Sequence, residues 1–122
     1  MSELSCIPVI PSADLEKSLR LWVDGLGFSV GEEMRKEGKL VFCMLRKGDL
    51  WFMLNQRWGN PAKPENYEGI RLYWGPKDIH ETQERLKGMG YEVSRLEGRG
   101  YGQTEFVLTD DDGYSHCFGA PT

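Results

Sequence analysis

Two stretches of the chain space their apolar residues as helices do. In ADLEKSLRLWVDGLGFSV, Leu15, Leu19, Trp22, Val23 and Leu26 fall on one helical face, and Gly25 or Gly27 supplies the stop. In KDIHETQERLKGMGYEV, Ile79, Thr82, Leu86 and Met89 repeat that face, with the stop at Gly88 or Gly90. A short apolar strand precedes each helix, CIPVI at 6–10 and GIRLYW at 69–74. Three more strands follow each one, and the last two are joined by turns at Lys47-Gly48-Asp49 and Asp111-Asp112-Gly113.

The halves therefore repeat. An offset of 64 pairs Asp14-Leu15 with Asp78-Ile79, Phe42 with Phe106, Gly48 with Asp112, and Leu54 with Phe118. The expectation is an α+β fold of tandem βαβββ modules in a single domain, residues 1–122: module one at 4–55, a linker at 56–67, module two at 68–120. Each module buries one face of its strands under its own helix and leaves the other open, so two modules side by side would form a cleft.

Strand alternation assigns residues to these faces. Tyr114, His116 and Phe118 point to the helix side of the last strand; Ser115, Cys117 and Gly119 point away. The repeat carries the open face to Trp51 and Met53. With Ile10 and Leu72 turned to the helices, Ile7, Val9, Arg71 and Tyr73 join it, as do Gln103, Glu105 and Val107.

Charge and composition narrow the function classes. Fifteen basic against nineteen acidic residues, net -4, with no run of lysine or arginine, argue against a nucleic-acid partner and mildly favour a cationic ligand. The absence of a long apolar stretch, and an N-terminus MSELSC unlike a signal peptide, lead to the expectation of a soluble cytoplasmic protein with no membrane partner. Cys6, Cys43 and Cys117 form no CxxC pair; they read as buried free thiols, not as disulfide or zinc ligands.

The densest chemistry lies in TDDDGYSHC, where aspartates, a histidine and a cysteine crowd together. The aspartates read as a hairpin turn ending in Gly113, and His116 as a hydrogen-bonded residue beneath the helix. His80, in the first turn of the second helix, faces solvent, so neither histidine activates Ser115 or Cys117 and no catalytic residue is expected. Trp51, Trp58, Tyr67, Tyr73 and Tyr101 are aromatic residues that core packing does not obviously claim. With Glu105 and Arg71 they suggest a groove for a flat, partly polar molecule, Arg71 and Glu105 serving either the ligand or each other as an ion pair.

Across essentially its whole length the chain resembles the vicinal oxygen chelate superfamily, which includes glyoxalase I, extradiol dioxygenases, and fosfomycin and bleomycin resistance proteins. The matching pieces are Pro8-Val9-Ile10, Leu21-Trp22, Leu26-Gly27-Phe28-Ser29, Tyr101-Gly102 and Glu105-Phe106, and they are most similar to the bleomycin resistance proteins. Asp111 departs from the turn proline usual there, and one extra residue separates Tyr101-Gly102 from Glu105-Phe106. The resemblance implies a curved mixed-sheet cleft. It also implies that the positions where the superfamily's enzymes hold a divalent metal are here Ile7, Met53, Arg71 and Cys117, a poor donor set that the permanent charge of Arg71 would oppose. No metal and no cofactor are expected.

The function so implied is a metal-free homodimer that binds a small molecule, flat and cationic like bleomycin, and confers antibiotic resistance by sequestering it in grooves at the dimer interface. The ligand-binding candidates are Trp51, Trp58, Arg71, Tyr73, Tyr101, Glu105 and Cys117. The alternatives are a metal-dependent glyoxalase- or dioxygenase-type lyase or isomerase, and a regulatory dimer whose cleft is filled by its own side chains.

Overall fold

The computed structural model describes residues 4–57 and 70–122, in two compact units, Met1–Pro61 and Ala62–Thr122. Each has the order strand, helix, strands, as the repeat predicts.

In the first unit, β1 (Val9–Ser12) leads into α1 (Leu15–Leu19), followed by β2 (Ser29–Lys36), β3 (Lys39–Lys47) and β4 (Leu50–Gln56). The sheet order is β1-β4-β3-β2, with β1 parallel to β4 and the other pairs antiparallel. β1 lies later than the expected 6–10, because its pairing begins where Val9 meets Met53 and runs to Ser12 opposite Gln56. Cys6 and Ile7 are exposed ahead of it, so Cys6 is not the buried thiol that was expected; Cys43 is.

Asp14 caps α1, its carboxylate accepting from Lys17 N at 3.2 Å. The helix then widens into a π-helical segment, Arg20–Gly25, in which Leu26 N reaches back to Leu21 O at 2.9 Å. A wider turn shifts the phase of the buried face. Leu15, Leu21, Trp22 and Leu26 are buried, whereas Leu19 and Val23, expected on that face, are half-buried. Trp22, Phe28 and Phe52 form the core, edge to face at centroid separations of 4.7 to 6.1 Å. Gly27, at φ 79, ends the element in the left-handed region that glycine favours.

The second unit comprises β5 (Tyr73–Trp74), α2 (Ile79–Gly88), β6 (Glu92–Val93), β7 (Glu97–Gly98), β8 (Gln103–Thr109) and β9 (Ser115–Pro121). Its order is β5-β9-β8-β6, with β7 also paired to β8. The expected strand 69–74 is reduced to two residues, although Cys117 N still donates to Leu72 O at 3.3 Å. The strand after α2 is split in two. Ser94 spans the gap, its N–H donating to Val107 O and its hydroxyl accepting from Val107 N. Asp78 caps α2 as Asp14 caps α1, Gly90 at φ 92 repeats Gly27, and Ile79, Thr82, Gln83 and Leu86 are buried while Met89 is half-buried.

One expected equivalence changes. Leu54 and Phe118 stand 64 positions apart, but the residue opposite Leu54 is Cys43, and the one opposite Phe118 is Phe106. Cys43, not Phe42, is thus the counterpart of Phe106. The cause is the turn: Lys47 pairs with Leu50 across two residues, whereas Asp110 N donates to Tyr114 O across three. The extra residue is held by Asp110 Oδ1, which accepts from Asp112 N and Tyr114 N, both at 2.9 Å. No helix among the described residues is long and apolar enough to cross a membrane.

Candidate functional site

The polar side chains of the second unit's open face converge on Glu105. This residue sits on β8 directly opposite Gly119 on β9 and next to the pair Val107 and Cys117. Because Gly119 has no side chain, Tyr73, paired with Cys117 at the neighbouring strand, leans across it; a Cβ at Gly119 would collide with the Tyr73 hydroxyl and ring. Tyr73 thereby donates to Glu105 Oε2 at 2.6 Å. Gln103 Oε1 lies 3.4 Å from the same hydroxyl, whose single proton goes to the nearer, charged acceptor.

Tyr101 arrives from the β7–β8 turn, which Gly102 closes at φ 84, and also donates to Oε2 at 2.6 Å. Oε1 accepts from Arg99 Nε at 3.2 Å, and Arg99 Nη1 reaches Glu97 Oε2 at 3.3 Å. That bridge has a register reason: Glu97 and Glu105 are direct cross-strand partners, and two carboxylates so placed repel unless a cation joins them.

Burial and charge set the protonation states. Glu105 is 4% exposed, while Tyr73 and Tyr101 above it are 55% and 68% exposed. The Tyr101 and Tyr73 hydroxyls hold the Glu105 carboxyl below its ordinary range against the opposing effect of burial, with Arg99 assisting. The hydrogen bond to Glu105 pushes the Tyr73 hydroxyl up to about 12 and raises Tyr101 in the same way. Burial, then the charge of Glu105 and a hydrogen bond to it, raise the Cys117 thiol. At neutral pH the cluster is a carboxylate matched by a guanidinium and surrounded by neutral hydroxyl and thiol groups. Such a carboxylate is a weak base and such a thiol a poor nucleophile.

Of the expected site residues, the structure gathers Tyr73, Tyr101, Glu105 and Cys117. Arg71 is exposed, and the ion-pair partner of Glu105 is Arg99, not Arg71. Arg99 was missed because its role follows from strand register: its signal was a basic residue just ahead of the Gly100-Tyr101-Gly102 turn, flanked by Glu97 and Glu105. Trp51 belongs to the first unit, where Arg46 stacks on its ring at 4.9 Å; Met53 lies beside Val9 on the same sheet. Trp58 and Tyr67 lie outside the described residues. Among the described residues no three His, Cys, Asp or Glu side chains gather as a metal-binding group.

His116 is buried on the helix side, as its alternation predicts. Trp74 Nε1 donates to His116 Nδ1 at 3.1 Å, which assigns a lone pair to Nδ1. Nε2 then carries the proton and donates to Asp110 Oδ2 at 2.8 Å, fastening β5 and β9 to the turn.

The sequence matches the Glyoxalase/Bleomycin resistance protein/Dioxygenase superfamily over residues 7–118. No curated protein matches it significantly. Among solved structures, a fosfomycin resistance protein from Mesorhizobium loti is 17% identical with a TM-score of 0.75, covering 100% of this chain and 95% of that one. An antibiotic binding protein from a Streptomyces species is 18% identical with a TM-score of 0.73, covering 100% of both chains. A bleomycin resistance determinant encoded on the transposon Tn5 is 20% identical with a TM-score of 0.71, covering 96% of this chain and 97% of that one. At these identities the likeness is one of fold. With a family match spanning nearly all of its length and both repeats built on the same strand-helix-strand frame, this chain is a member of the glyoxalase/bleomycin resistance protein/dioxygenase superfamily.

Proposed function

We propose that this protein is a metal-free small-molecule binder that sequesters a flat ligand of the bleomycin type as a cytoplasmic homodimer. The observation that carries the reading is the Glu105 cluster: two exposed tyrosines held on a buried carboxylate form a rigid recognition surface that lacks an activated nucleophile. Tyr73 and Tyr101 would supply ring surface, and Arg71 and Cys117 flanking polar contacts. The metal positions of the superfamily's enzymes hold an aliphatic chain at Ile7, a thioether at Met53, a guanidinium at Arg71 and a thiol with raised pKa at Cys117. Divalent metals that activate water or an enediolate need nitrogen and oxygen donors, which this set does not offer.

Sequestration needs shape and complementary surface and no bond-making residue, which agrees with the chemistry of the cluster. Calorimetry of the purified protein with bleomycin and phleomycin is expected to give saturable binding that survives chelator treatment. Absence of heat with every such drug would remove the antibiotic reading. Stoichiometric nickel, zinc, iron or manganese on elemental analysis would instead favour a metal-dependent lyase, isomerase or oxygenase.

A further inference from the structure

The carboxylate at the centre of the cluster has little capacity left for a ligand. A carboxylate offers about four acceptor positions. Both on Oε2 are taken by the Tyr73 and Tyr101 hydroxyls at 2.6 Å, and Oε1 accepts from Arg99 at 3.2 Å. Its charge is matched as well: Arg99 pairs with both Glu105 and Glu97, and Arg95 pairs with Glu97, so two guanidiniums face the two carboxylates. An approaching molecule meets the tyrosines first, since they are more than half exposed and the carboxylate is buried beneath them.

We propose that Glu105 is a positioning residue that pins Tyr73 and Tyr101 as a pre-organised aromatic clamp, and that the ligand is selected as a planar aromatic ring system rather than as a cation. This deepens the binding reading above and rests on it. Free tyrosines on a surface lose rotational freedom when a ligand stacks on them. Here two short charge-assisted bonds have already fixed the hydroxyl ends, so binding carries less of that cost. Two glycines make the arrangement reachable: Gly119 leaves the path that Tyr73 crosses, and Gly102, at positive φ, turns Tyr101 back over the sheet. The charged and titratable groups acting on the cluster are Arg99, Glu97, Arg71, Tyr73, Tyr101 and Cys117, and none of them leaves Glu105 as an open counter-ion.

The test uses the full chain, its Glu105→Gln variant, and two probes with the same ring skeleton at pH 8: cationic 9-aminoacridine and its uncharged parent acridine. Glutamine keeps the shape of the side chain but loses the charge and one acceptor oxygen. Both probes are expected to bind wild type, and Glu105→Gln is expected to weaken both by about tenfold, from the side chains that must then be ordered on binding. Loss confined to 9-aminoacridine would show that Glu105 pairs with the cation and overturn the clamp. Unchanged affinities, or a wild type that binds neither acridine, would overturn it too, whereas calorimetry with the glycopeptide drugs decides the broader binding reading separately.

A ligand-independent arm follows tyrosinate absorbance in alkali. Two tyrosines, assigned with Tyr73→Phe and Tyr101→Phe, are expected to ionise late in wild type and to return towards the ordinary value, roughly 10, in Glu105→Gln. Unaltered titration in Glu105→Gln would overturn the pinning. If Glu105→Gln fails to fold, Gly119→Ala provides the same reading: it pushes Tyr73 off the carboxylate sterically, and both acridines should weaken together.

Discussion

The two units place different chemistry on one backbone pattern. Beneath the helices, Phe52 and His116 hold equivalent positions, opposite Leu45 and Leu108. In the first unit Phe52 packs edge to face with Trp22 and Phe28. In the second, His116 is suspended between Trp74 and Asp110 by directed hydrogen bonds. The open faces diverge further. Val9 paired with Met53, and Phe42 paired with Asn55, correspond to Tyr73 with Cys117 and Glu105 with Gly119. One face is largely apolar and the other is a hydrogen-bonded cluster. The ladder hydrogen bonds are indifferent to side chains, so either solution is admissible provided that every buried polar atom finds a partner. A polar cluster therefore collects on one unit without altering the frame.

The largest expected effect breaks the apolar side of this comparison. Phe52→Ala removes the ring that touches both Trp22 and Phe28, and should cost about 3 to 5 kcal/mol in urea unfolding. On the polar side, Asp110→Ala deprives His116 Nε2 and two backbone N–H groups of their acceptor, and a loss of about 2 to 3 kcal/mol in the same measurement is expected.

The caps test what the units share. Asp14→Ala and Asp78→Ala should each cost about 1 kcal/mol by thermal or urea melting, and a marked inequality would show that the π-helical continuation of α1 changes how much the first helix depends on its start.

Smaller in stability, but specific to the open face, is the pH response of the cluster. The folded-state pKa of Glu105 is depressed, so its contribution is present above the unfolded value, roughly 4.3, and is lost as pH falls through the folded value. Tyr73 is raised to about 12, so its contribution is present below the unfolded value and is lost as pH rises towards 12. Stability of Glu105→Gln followed against pH should be flatter than wild type at both ends. Equal slopes would show that the cluster does not couple to folding.

Much of this fold was legible in the chain because its signals are local. The two helices and the face alternation of β8 and β9 each depend on neighbouring residues and are found where the spacing put them, and of the two glycines open as the stop of each helix the structure takes Gly27 and Gly90. The failures are non-local. The π-helical segment that buries Leu21 depends on packing over Arg20–Gly25, and the shift from Phe42 to Cys43 depends on how many residues a turn absorbs. The late start of β1 depends on where β4 is available to pair.

The candidate site divides the same way. Residue type and alternation by themselves determined that Tyr73, Glu105 and Cys117 share an open face, since a side chain's face follows from its position along a strand. Only the tertiary structure decided that Arg99 rather than Arg71 pairs with Glu105, that Tyr101 folds back onto the same carboxylate oxygen, and that Gly119 leaves room for Tyr73. Those facts depend on register between strands and on the reach of side chains across a turn, and a carboxylate's partners are fixed by distance in space rather than by order along the chain.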